Sequence, residues 1–210
     1  MKPTKKLARQ AGILYLLLVP FGVFGILFIP MHFVVPDNIQ LTIHKIASDT
    51  FTFRLSIMSA LVTQLIQILT VLALYQLLKS VHKNAALFMV ISILVAVPIA
   101  MLNEVNHFAV LNSLGNAQQV SLFLNLHEYG VNIAQIFWGI WLFPMGYLVY
   151  KSNFIPKIIG ILLVVACFGY LGDSLVFFLN VNLGFTFSEF TFAGEIAITL
   201  WLLIKGVKTN

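Results

Sequence analysis

The chain has 210 residues, of which 60% are hydrophobic and only 9% charged. Soluble domains run nearer roughly 45–50% apolar with about a quarter charged, so this composition excludes a water-soluble globule and makes lipid the solvent. The net charge of +5 builds no nucleic-acid surface, because the basic residues sit at the ends of apolar runs and not on one polar face.

The chain starts with a basic head, Lys2, Lys5, Lys6 and Arg9, and then turns apolar. The apolar run is as long as the ~20 residues a span needs, and no small-x-small site follows it. It reads as a retained first span over roughly 11–30, with Pro20 as a kink and Gly12, Gly22 and Gly25 as places of close helix approach. Residues 31–54 form a polar connection, with a short interfacial helix expected after Pro36-Asp37.

A second span covers roughly 55–79, where Ser56, Ser59, Thr63, Gln67 and Thr70 recur at helical steps and should point at other helices. The third covers roughly 85–111, passes Pro98 and ends in Asn103, Glu104, Asn106 and His107. The fourth, roughly 122–150, carries His127, Glu128, Asn132 and Gln135 in its first turns. A fifth, roughly 154–180, opens near Pro156 and carries Asp173 late in its course. The sixth, roughly 187–207, places Ser188, Thr191, Glu195 and Thr199 on one face. Cys167 is the one cysteine and lies in an apolar run, so neither an internal disulfide nor a cysteine metal motif is available.

The expected fold is all-α: one integral membrane domain over 1–210, a bundle of six transmembrane helices. Ten basic residues (Lys2, Lys5, Lys6, Arg9, Lys79, Lys83, Lys151, Lys157, Lys205 and Lys208) fall on one side, against Lys45 and Arg54 on the other. That bias places both termini in the cytoplasm and the protein in a cytoplasmic membrane.

With that orientation, Arg54, Glu104, His107, His127, Glu128, Asp173 and Glu195 all fall toward the outer ends of their spans. Ionisable groups inside spans tend to face the bundle interior and mark functional sites. Three readings compete. Arg54, His127, Glu128, Asp173 and Glu195 would form a polar site for a small ligand or ion, with Arg54 paired to Glu195, Asp173 or Glu128. Alternatively, Glu104 and His107 form Glu-x-x-His, an i,i+3 pair by which helical bundles present two ligands to one metal. His127, Asp173 and Glu195 would complete a set for zinc or iron, able to activate water in an intramembrane hydrolase. The third reading is a structural bundle whose polar groups are solvated or cap helix ends. A haem held by His107 and His127 has nothing else in the sequence behind it. His32, His44 and His82 fall in connections and read as surface residues. Neither a nucleophile elbow nor a phosphate-binding glycine loop is present.

Several segments together resemble a bacterial membrane family catalogued as domain of unknown function 4386. They are ARQAGILYLLL, FRLSIMSALVTQ, ALYQLLKSVHKNAAL, HEYGVNIAQIFWGI, YLVYKSNFIPKIIGILLVVACFGYLGDS and GEIAITLWLLIKGV. The resemblance covers nearly the whole chain. It implies a compact multi-pass membrane protein and brings no activity with it. Arg54, His127, Asp173 and Glu195 fall inside these segments, and Glu128 stands where the resemblance implies an aspartate. Glu104 and His107 lie outside them.

Overall fold

The computed structural model describes residues 4–207; Lys2 and Lys208 of the charge count lie outside the described residues. Among these, the regular structure is helical throughout, and six helices are long and apolar enough to cross a membrane. The first, Lys5–His32, comprises α1 (Lys5–Gly22), a π-helical turn (Val23–Leu27) and α2 (Phe28–His32). It starts earlier than hydropathy alone implies because Thr4 caps it, accepting from the Leu7 N–H. The helix after Pro36-Asp37 is α3 (Ile39–Ser48), capped by Asn38, which accepts from the Leu41 N–H.

The second span is α4 (Thr50–Leu78). Its start lies ahead of the apolar run because Asp49 caps it, accepting from the Thr52 N–H at 3.1 Å. That bond holds the Asp49 carboxyl below the usual carboxylate range. The third, α5 (Lys83–Asn112), passes Pro98 as one uninterrupted α-helix. The fourth divides into α6 (Ala117–Ile140) and α7 (Leu142–Lys151) at Trp141. Pro144 explains the break, since it has no N–H for the carbonyl of Ile140. The fifth is α8 (Lys157–Phe178), and the sixth is built from α9 (Phe187–Thr191) and α10 (Ala193–Ile204).

Each span packs on the next in chain order, and α10 returns to α1, so the six form a closed ring. Gly206 lies against Lys5, where an added Cβ would sit 3.5 Å from the Lys5 Cα. The two ends of the described chain therefore meet at one end of the bundle. The half near the termini is filled by an apolar core to which all six spans contribute, including Tyr15, Leu74, Ile93, Met145, Leu163 and Ile198. The distal half has a smaller core of Ile29, Phe33, Ile46, Phe53, Ile57, Val110 and Val120, drawn from the first four spans and α3.

The polarity of α4 is inverted relative to a helix of a soluble protein. Ser56, Ser59, Thr63, Gln67 and Thr70 are buried, while Leu55, Met58, Leu65, Leu69 and Leu72 face outward. In lipid this is the favourable arrangement, since the outward face meets hydrocarbon and the polar face needs protein partners. Most of those hydroxyls bond back onto their own helix, Thr63 to the carbonyl of Ser59 and Thr70 to that of Ile66. Ser59 instead donates to the Phe21 carbonyl at 2.8 Å, next to the π turn, where the regular helical ladder is interrupted. The hydroxyls of the stripe are thus engaged within the bundle.

At that contact Gly25 touches the backbone of α4, and an added Cβ would lie 2.6 Å from the Ala60 Cα. Backbone cannot yield as a side-chain tip can. Gly25→Ala is therefore expected to force α1 and α4 apart and cost about 1–3 kcal/mol. Gly115→Ala, in a loop with open space around it, should stay within about 0.5 kcal/mol of the parent. Thermal melting in detergent checks both, and equal midpoints for the two variants would contradict this packing.

Candidate metal centre

Helices α5 and α6 run antiparallel through a short connection, and this sets the depth of their polar residues. Glu104 lies eight residues before the end of α5, and His127 ten residues after the start of α6. At ~1.5 Å per residue these are about 12 and 15 Å from the connection, close to one level. Glu104 and His107 share one face of α5 through their i,i+3 spacing.

The three side chains meet. His107 Nδ1 lies 2.9 Å from Glu104 Oε2, and His127 Nε2 lies 3.1 Å from Glu104 Oε1. One carboxylate thus holds two imidazoles, one per oxygen. The rings stack on each other with centroids 3.5 Å apart and planes 26° from parallel. All three residues are buried. Phe53 of α4 closes one side, its ring edge-on to His107 at 5.5 Å.

Two features fix His127 in place. Asn103 donates from Nδ2 to the His127 carbonyl at 2.8 Å, tying α5 to the backbone of α6. Asn106 in turn donates to the Asn103 carbonyl and side-chain oxygen. Gly130 provides the space: an added Cβ would overlap the Asn103 amide, 2.8 Å from Nδ2. Asn103 thus supports the site without contributing a donor to it. Its place in the polar end of the third span was readable from the sequence, but its partnership with Gly130 was not.

Chemically, one donor atom from each of Glu104, His107 and His127 lies within 4.8 Å of the others. A tetrahedral zinc ion with ~2.0 Å bonds separates its ligand atoms by roughly 3.3 Å. The observed nitrogen–oxygen separations of 2.9 and 3.1 Å are already near that value. Two neutral imidazoles and one carboxylate also bring a single negative charge, which a divalent cation would more than offset. Stacked rings this close would repel one another if both were protonated.

The other candidates do not join this group. Asp173 of α8 caps α9, accepting from the Phe187 N–H at 2.5 Å and the Ser188 N–H at 2.9 Å. The two oxygens of Glu195 of α10 lie 2.8 Å from the Tyr15 hydroxyl and 3.0 Å from the Tyr170 hydroxyl, both at hydrogen-bond distance. Arg54 is exposed, and among the described residues it forms no ion pair. The expected pairing of Arg54 with Glu195, Asp173 or Glu128 is therefore absent there: at the start of α4 its long side chain reaches solvent more cheaply than it would desolvate. Glu128 is likewise exposed, turned about 100° around α6 from His127, and only its backbone carbonyl is engaged by a side chain, that of Asn132. His32, His44 and His82 are exposed, as their position in connections implied. A cavity of about 470 Å³ lies between α6, α8 and the residues leading into α9, with Asn132, Gln135, Asp173 and Glu189 among its lining.

The family described as domain of unknown function (DUF4386) matches residues 10–206, a stretch that includes Glu104 and His107 and all but the outermost residues of the motif segments. The chain belongs to this family. A protein of Archaeoglobus fulgidus that carries the name Uncharacterized protein is 32% identical over 157 residues, 74% of this chain and 86% of its own length. No solved structure matches the chain. Membership in the family leaves the chemistry to the residues themselves.

Proposed function

We propose that this chain is a single-domain integral membrane protein that binds a divalent transition-metal ion, zinc or ferrous iron, through Glu104, His107 and His127. The observation carrying this reading is the convergence of two imidazoles on one buried carboxylate at near-ligand separations. Two histidines and one carboxylate are the donor set of both hydrolytic zinc sites and non-haem iron sites, and the absence of sulfur from the set fits either. Asp173 and Glu195 are not ligands in this proposal, since both carboxyls are engaged elsewhere. Three protein ligands leave a fourth position for water or a substrate oxygen. That open position is what favours, as a second reading, a metal-dependent hydrolase acting within the membrane.

The ring of six spans sits, in this proposal, in the cytoplasmic membrane of a bacterial cell with both termini in the cytoplasm. The excess of lysine and arginine at the terminal end supports that orientation. The metal then lies on the extracytoplasmic side of the bundle, some 12–15 Å of helix from the α5–α6 connection.

Elemental analysis of protein purified without chelator and reconstituted with zinc should give about one equivalent of metal, falling below about a tenth in Glu104→Ala and His107→Ala but not in Asp173→Asn or Glu195→Gln. A wild-type value below about a tenth, or full retention by Glu104→Ala, would contradict the site. Orientation is checked in intact cells on a Cys167→Ser background with a membrane-impermeant maleimide. Labelling of Gly115→Cys but not Ser80→Cys is expected, and the reverse pattern would overturn the topology.

A further inference from the structure

The chain carries seven acidic residues, and the structure accounts for the surroundings of each. Asp37, Asp49, Glu128 and Glu189 are exposed. Glu104 faces two imidazoles, and Asp173 accepts two backbone N–H groups. Glu195 differs from all of these. Its two oxygens face the hydroxyls of Tyr15 and Tyr170, and among the described residues no cation pairs with it.

Its depth sharpens the point. Glu195 lies nine residues from the end of α10 at Ile204, and Tyr15 ten residues from the start of α1 at Lys5. Those offsets are about 14 and 15 Å of helix, near the middle of a ~30 Å hydrocarbon core. The groups sent toward Glu195 by the elements packed on α10 are few. From α1 comes Tyr15, while Lys5, Lys6 and Arg9 are exposed near the terminal end. From α8 comes Tyr170, with Cys167 one turn away, Asp173 capping α9, and Lys157 exposed at the helix start. Tyr15 is itself fixed by Trp141 of the fourth span, their ring centroids 5.7 Å apart.

We propose that Glu195, Tyr15 and Tyr170 form a proton-binding site, in which Glu195 is a neutral carboxylic acid at neutral pH. A charge at this depth with no counter-ion is costly, and a carboxyl in that position neutralises by taking up a proton. Two phenols suit the neutral acid: one donates to the carbonyl oxygen and the other accepts from the acid O–H. The bound proton lies where the first, fifth and sixth spans meet, at the seam that closes the ring between α10 and α1. Its loss would put an unpaired charge into that seam, so occupancy of the site is coupled to closure of the bundle. The site is independent of the metal centre, with which it shares no residue.

The test is infrared difference spectroscopy on the full chain in lipid nanodiscs, with the glutamates isotope-labelled. At neutral pH a protonated carboxyl stretching band that shifts with the label is expected. It should vanish in Glu195→Gln and persist in Glu104→Gln. Tyr170→Phe and Tyr15→Phe, each of which removes one hydrogen-bond partner, should move the band to higher frequency without abolishing it, and they decide the matter should Glu195→Gln fail to fold. The absence of any protonated glutamate band at neutral pH, its survival in a folded Glu195→Gln variant, or its indifference to both tyrosine variants would overturn the proposal.

Discussion

The distal half of this protein depends on one carboxylate that satisfies two imidazoles. Glu104 is buried with His107 and His127, and each of its oxygens meets one ring. Removing any one of the three would leave a buried polar group without its partner, which costs more than the pairing itself contributes. The interaction therefore demands that α5 and α6 approach closely and in one register. Gly130, Asn103 and the short connection at residues 113–116 supply that approach. The two apolar cores lie toward opposite ends of the bundle, one at the termini and one around Phe33 and Phe53, and they hold the spans that carry the three side chains.

Most of the remaining polar groups follow the same constraint by different routes, whereas Gln64 Oε1, Trp138 Nε1, Thr191 Oγ1 and Trp201 Nε1 are buried without a hydrogen-bond partner. Lipid offers no hydrogen bonds, so each buried donor or acceptor must be met from within the bundle. The hydroxyls of α4 turn back to their own helix, except that Ser59 bridges to the carbonyl of Phe21. Asp173 meets the free N–H groups that start α9. Glu195 meets two phenols. What composition makes look like one outer polar layer is in fact three separate stations, and only the first presents several metal-ligating side chains to one point.

The sequence reveals the architecture because hydropathy and helical spacing are local properties. Six spans, the helix after Pro36-Asp37 and the buried stripe of α4 all follow from residues within a few turns of one another. Glu-x-x-His was legible for the same reason, and the near-equal offsets of Glu104 and His127 from their connection bring the third member to the same level. The other pairings were not legible. Tyr15 and Glu195 are 180 positions apart, and nothing in either neighbourhood marks the other. Asp173 looked like a site residue because its partners are backbone groups of a helix that begins 14 residues later. Arg54 looked like a counter-ion, but its place near the start of α4 lets it reach solvent. Pro144 was the overlooked signal for the break at Trp141, a local rule that applies once the span around it is recognised.

The central claim is that Glu104, His107 and His127 act as one ligand set. X-ray absorption at the zinc edge of the reconstituted protein addresses it most directly. The account predicts a first shell of nitrogen and oxygen at about 2.0–2.1 Å with the multiple-scattering pattern of two imidazoles, reduced to one imidazole in His127→Ala. A shell containing sulfur, or one with no imidazole contribution, would contradict it.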